Sequence, residues 1–114
     1  FVVLSGDDAL LWPILAVGGD GVISVTANVL PGKVSAMCKA AVDGDVAKAR
    51  ELHYEMRDIN DILFVDTNPV PVKAALHLMG KIENEIRAPL VGLSSQHLEL
   101  VNEVLNKHGL LSAE

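Results

Sequence analysis

The sequence predicts an α/β chain, a β-helix-β unit followed by helices, and two observations carry that prediction. Two short apolar runs, Phe1-Val2-Val3-Leu4 and Val22-Ile23-Ser24-Val25, have the composition of buried parallel strands and are bounded by Gly and Asp. Beyond Asn28 the β signal stops, and apolar residues recur every three or four positions, the period of amphipathic helices.

The first run stops at Ser5-Gly6-Asp7-Asp8, where Asp7 or Asp8 can cap a following helix. Ala9 to Val17 reads as a short apolar helix that begins near Pro13 or kinks at it, and Gly18-Gly19 ends it. Gly21 leads into the second run, so about the first 25 residues form one compact unit of the kind found in parallel sheets and barrels. Val34, Met37, Cys38, Ala41 and Val42 form the stripe of the next helix, which Gly44 closes and after which Asp45 can cap another. Val46, Ala49, Leu52, Met56, Ile59 and Leu63 predict one long helix, with Lys48, Arg50, Glu51, Glu55 and Asp58 on its solvated face. Asn68-Pro69-Val70-Pro71 breaks the pattern and starts a helix lined by Val72, Ala75, Leu76 and Met79, ended by Gly80. Residues 82–92 are irregular; Ser94 or Ser95 then caps a last helix with Leu98, Val101, Val104 and Leu105 inside, ended by Gly109. Two parallel strands alone would leave edges exposed on both sides, so residues 1–28 read as part of something larger.

Composition narrows the function classes. With 114 residues, half of them hydrophobic, the chain is long enough for one packed domain. The net charge of -6, spread without any basic run, excludes a phosphate-tracking surface and disfavours anionic membranes. Apolar runs fall well short of the ~20 residues of a membrane span. The single cysteine, Cys38, excludes an intrachain disulfide and fits a reducing, cytoplasmic setting. No basic n-region of a signal peptide precedes Phe1-Val2-Val3-Leu4, and the absence of an initiator Met suggests truncation or trimming.

Chemistry alone leaves several sites open. Ser5-Gly6-Asp7-Asp8 sits at a strand's C-terminal end, where barrels place active-site groups; its paired carboxylates either hold a polar substrate or metal, or simply form a loop with a helix cap. Gly18-Gly19-Asp20-Gly21 precedes a strand instead of opening a helix, so it reads as a tight turn and not a phosphate loop. Thr26 and Asn28 either donate hydrogen bonds at the rim or cap the helix near Pro31. His53, His77, His97 and His108 lack the spacing of a helix-borne zinc site and read as packing or surface residues. Cys38 lies on an apolar stripe as an inert thiol, and Trp12 belongs to a core or an assembly surface. A Schiff-base lysine needs a desolvated pocket. None of the six lysines falls in a predicted strand, and Lys73, the least exposed by pattern, reads as structural.

A set of segments, in order along the whole chain, resembles the dihydrodipicolinate synthase family of pyruvate-dependent aldolases. They are Phe1 to Asp8, Gly18-Gly-Asp-Gly-Val-Ile-Ser-Val-Thr-Ala-Asn28, Met37 to Ala41, Phe64-Val-Asp-Thr-Asn-Pro-Val-Pro-Val-Lys-Ala-Ala75, Ile86 to Leu90 and Gly109-Leu110-Leu111. The strings around Ile23 and Val70 resemble this family more than its relatives, the N-acetylneuraminate lyases and keto-sugar-acid aldolases.

The resemblance implies the C-terminal part of a (β/α)8 TIM barrel plus a C-terminal helical extension. Residues 1–4 and 22–25 would be the last two strands, 1–43 the last two βα units and 44–114 the extension. It implies a class I aldolase that condenses pyruvate with aspartate-4-semialdehyde in lysine and diaminopimelate biosynthesis, with no cofactor and no metal. The lysine that forms the imine, the proton-relay tyrosine and two threonines, and the lysine feedback site belong to an N-terminal half that is missing here. These 114 residues alone are therefore expected to be inactive. It further implies that Ile23 contacts pyruvate through its main chain, that Gly6, Asp7 and Asp8 line the same pocket, and that the protein forms a homotetramer or dimer. From the residues themselves, a free-standing helical interaction or assembly module stays open as the alternative, and beside it another member of the pyruvate aldolase superfamily such as a keto-sugar-acid aldolase.

Overall fold

The structure, a computed structural model, describes residues 1–111. Its contacts divide the described residues into two compact units, one of residues 1–60 and one from residue 61 onward.

The first unit begins with strand β1, Leu4–Ser5, and strand β2, Gly21–Val22. They pair in parallel, Leu4 with Gly21 and Ser5 with Val22. Between them a 3₁₀ turn, Asp8–Leu10, leads into helix α1, Leu11–Ala16. Asp7 caps this turn, its carboxylate accepting from the Ala9 amide at 2.8 Å. The return from α1 to β2 is tight. The Gly19 amide donates to the Ile14 carbonyl at 2.8 Å, and a Cβ on Gly19 would lie 2.9 Å from that oxygen, so only glycine fits the approach. Asp20 then ties the turn to β1: its carboxylate accepts from the Val3 amide and its own amide donates to the Val3 carbonyl, both at 2.8 Å.

A second 3₁₀ turn, Thr26–Asn28, precedes helix α2, Pro31–Val42, with its proline in the first turn where no amide is needed. Gly44 turns the chain at φ +76 into helix α3, Val46–Glu55, which Asp45 caps by accepting from the Lys48 amide at 3.0 Å. α2 packs on α1 and α3, and the buried apolar residues include Leu11, Leu30, Val34, Met37, Ala49, Leu52 and Met56. Lys33 and Glu55 form an ion pair at 2.5 Å on the outside of α2 and α3. Helix α4, Arg57–Ile62, carries the chain out of this unit.

In the second unit, helix α5, Val70–Leu78, packs on helix α6, Ser95–Lys107. Val70, Val72, Ala74, Ala75, Val101 and Leu105 are buried. Gly80 and Gly109 stand just past the ends of α5 and α6 at φ +68 and +66. Ser94 caps α6, accepting from the His97 amide at 3.2 Å.

The expected elements are present, with four corrections. Phe1–Leu4 is not a buried strand: pairing begins at Leu4, and Phe1, Val2, Val3 and Leu4 are exposed. β1 has one strand neighbour among the described residues, and Leu4 on it is exposed. The second strand ends at Val22 and not at Val25. The Val25 and Thr26 amides turn away to the Asp8 carboxylate, and Val25 takes helical angles at φ -81, ψ -44. The long helix is two, parted at Met56, while Leu52, Met56, Ile59 and Leu63 stay buried across the joint. On α2 the buried stripe is Val34, Met37 and Ala40; Val42 at its end and Val46 at the start of α3 project into solvent.

Candidate functional site

Parallel pairing of β1 and β2 brings their C-terminal ends side by side. The two segments that leave those ends are Gly6-Asp7-Asp8 and Ile23-Ser24-Val25-Thr26. One further hydrogen bond extends the ladder, from the Ile23 amide to the Ser5 carbonyl at 2.9 Å.

Asp8 joins the segments. It is 3% exposed, and both of its carboxylate oxygens are engaged. Oδ1 accepts from the Ser24 hydroxyl; Oδ2 accepts from the Val25 amide at 2.8 Å and the Thr26 amide at 3.1 Å. Ser24 Oγ accepts in turn from the Ala27 amide at 2.8 Å. Thr26 is fully buried, and its hydroxyl donates to Asn60 Oδ1 at 2.7 Å, fastening the turn to α4. A buried carboxylate needs several donors of this kind, because burial without them carries a large desolvation cost. None of these bonds ends on the Ile23 carbonyl.

The expected site residues occupy different positions in this arrangement. Ile23 is 71% exposed and, with Ser24, lines an open cleft of about 620 Å³ between the sheet and α2, together with Leu4, Val22, Val34 and Cys38. Gly6, Asp7 and Asp8 are not among the residues lining that cleft. Gly6 is exposed with open space where a Cβ would stand; Asp7 is exposed and caps the first 3₁₀ turn; Asp8 lies beneath the surface as the clamp. Thr26 is neither a rim donor nor a helix cap, since the Asn60 amide takes its hydroxyl, and Asn28 donates locally to the Val25 carbonyl at 2.9 Å. The Asp8–Ser24–Thr26–Asn60 network went unread in the sequence because its members lie 16 to 34 residues apart, with no periodic signal to join them.

The remaining expected residues stay outside the site. Cys38 is half-buried, and burial pushes its thiol above the ordinary range, which suits an unreactive role. Trp12 is half-buried. Lys73, in the second unit, is half-buried and donates to the Glu85 carbonyl. His77 Nδ1 meets the Ile82 carbonyl at 3.1 Å, and His97 Nδ1 meets Asp66 at 3.3 Å. Among the described residues no three His, Cys, Asp or Glu side chains converge to hold a metal ion, and no helix is long and apolar enough to cross a membrane.

Fold and geometry together define an α/β chain in which two segments, clamped together by the buried Asp8, leave the common C-terminal edge of two parallel strands. Residues 1–108 match the model of the dihydrodipicolinate synthetase family, and the chain belongs to that family. It is 50% identical over 111 residues to 4-hydroxy-tetrahydrodipicolinate synthase of Nitratidesulfovibrio vulgaris (strain Miyazaki F), covering 97% of this chain and 38% of that protein. The synthase of Archaeoglobus fulgidus is 51% identical over 112 residues, with 98% of this chain and 39% of that protein covered. Among solved structures, dihydrodipicolinate synthase from Aquifex aeolicus superposes with a TM-score of 0.96 at 45% identity, over 100% of this chain and 39% of its own. The chain thus spans less than two fifths of the length of the relatives it matches.

Proposed function

We propose that these residues are the C-terminal part of a pyruvate-dependent class I aldolase of the 4-hydroxy-tetrahydrodipicolinate synthase type. The observation that carries this reading is identity near 50% along 97% of the chain to proteins bearing that name. In it, β1 and β2 are the last two strands of a TIM barrel, residues 1–43 hold the last two βα units and 44–114 the helical extension. The exposed apolar residues Phe1 to Leu4 support it, because such a row leading into a strand with one neighbour fits a sheet that continues in further chain.

The chemistry then divides between two parts of one polypeptide. A lysine outside these residues forms an imine with pyruvate, and the derived enamine attacks aspartate-4-semialdehyde. No cofactor or metal takes part. The residues at hand contribute a wall of the pocket: the Ile23 main chain toward pyruvate, with Gly6 and Asp7 at its border. Lysine and diaminopimelate biosynthesis, a cytoplasmic location and a homotetramer or dimer complete the reading.

Borohydride reduction in the presence of pyruvate, followed by intact-mass spectrometry, tests it. The full-length protein gains the mass of one reduced pyruvate adduct per chain, and the isolated 114 residues gain nothing. A full-length protein that stays unmodified while a relative labels under the same conditions overturns the assignment.

A further inference from the structure

We infer that Asp8 is the positioning residue of the pyruvate pocket, holding the Ile23 carbonyl in place from beneath instead of touching substrate. The inference rests on the reading of Ile23 as a pyruvate contact. Three observations carry it. First, the Asp8 carboxylate is buried and already accepts three hydrogen bonds, one on Oδ1 and two on Oδ2, so little acceptor capacity is left to turn toward a ligand. Second, all three donors belong to the residues directly after Ile23: the Ser24 hydroxyl and the Val25 and Thr26 amides. Third, Ile23 is held from its other side by its own amide on the Ser5 carbonyl at 2.9 Å. The peptide unit that carries the Ile23 carbonyl is therefore pinned on both flanks, by β1 before it and by Asp8 after it.

Charge decides why an aspartate performs this task. A carboxylate is acceptor-only and can take several N–H and O–H groups at once, with stronger bonds than a neutral acceptor forms. An asparagine of the same size offers one acceptor oxygen and places an NH2 group against donors. The turn after Ile23 then loses one or more of its anchors while the fold around it is kept. Asn60 fixes the far end of the same turn through the Thr26 hydroxyl at 2.7 Å, so the displacement concentrates near Ser24 and Ile23.

The test uses the full-length enzyme with Asp8→Asn, Ser24→Ala, the double variant and Ser24→Thr. It reads steady-state kinetics in each substrate and a crystal structure of the borohydride-reduced pyruvate adduct. Misplacement of about 1 Å costs up to ~100-fold in related settings, and D8N is expected to raise KM for pyruvate on the order of tenfold or more. KM for the aldehyde should change less. S24A shifts the same parameter in the same direction, the double variant adds little to D8N because both changes remove the same bond, and Ser24→Thr restores the hydroxyl and most of the loss. If D8N does not fold, S24A and Ser24→Thr still decide the matter, since they leave the two amide bonds to Asp8 intact. A folded D8N and S24A with unaltered KM for pyruvate, in an enzyme whose adduct does lie against the Ile23 carbonyl, overturns the positioning role alone. An adduct remote from the Ile23 carbonyl overturns the underlying reading of the pocket, whatever the kinetics.

Discussion

The Thr26 hydroxyl donates to Asn60 Oδ1 at 2.7 Å, joining two buried side chains 34 residues apart. This bond holds the turn after β2 onto α4 and closes a polar network that starts at Asp8. Thr26→Val keeps the shape but leaves the Asn60 amide buried without that donor, which costs about 1–3 kcal/mol. Thr26→Ser keeps the donor and should cost less. Urea unfolding of the full-length protein and its two variants checks the order; equal stability of the valine and serine variants would show that the bond contributes nothing.

Gly19 and Gly6 answer to different constraints. A Cβ on Gly19 would meet the Ile14 carbonyl oxygen at 2.9 Å, and Gly19→Ala is expected to destabilise by roughly 1–3 kcal/mol through overpacking. Gly6 has nothing within 4 Å of its Cβ position, so Gly6→Ala should leave stability within about 0.5 kcal/mol. A change in KM for pyruvate in Gly6→Ala then reports on the pocket without a folding component. An unaltered KM removes Gly6 from the pocket wall.

Asp45 caps α3 through the Lys48 amide at 3.0 Å. Asp45→Ala should lower stability by ~1 kcal/mol and Asp45→Ser by less, since serine can cap in the same way. Thermal unfolding of the three proteins distinguishes a cap from an unspecific surface charge, for which Ala and Ser would behave alike.

His53 is half-buried, and its Nδ1 has no hydrogen-bond partner among the described residues. Burial first, and the Arg57 guanidinium second, lower its pKa below the ordinary histidine value of 6.5. A histidine depressed in the folded state is neutral there while the unfolded chain still binds the proton. Stability therefore rises with pH through this interval and falls as pH drops from about 6.5 toward the folded-state pKa, below which the loss levels off. His53→Gln should flatten that part of the stability curve. Chemical unfolding between pH 5 and 7.5 gives the comparison, and a slope unaffected by the substitution assigns it to other groups.

What the sequence determined by itself is local. Gly18, Gly44, Gly80 and Gly109 take positive φ at the ends of elements, as their places after apolar periods indicated. Asp45 and Ser94 cap α3 and α6 because short polar side chains before an apolar period can satisfy the first free amides. The ordered motifs from Phe1 to Leu111 carried the family, which the match over residues 1–108 bears out. Other features were decided only in three dimensions. The apolar spacing runs unbroken through Met56, so nothing in it marks the joint between α3 and α4. β2 stops at Val22, and beyond it the Val25 amide turns to a carboxylate 17 residues earlier instead of a strand neighbour. The sequence left Asp8 open between a cap and a pocket residue, and only the fold shows its carboxylate buried under Ser24, Val25 and Thr26. The reason is the same in each case. Caps and glycine turns are settled by bonds within a few residues, whereas the partners of a buried polar group are set by which distant segments the strands bring together.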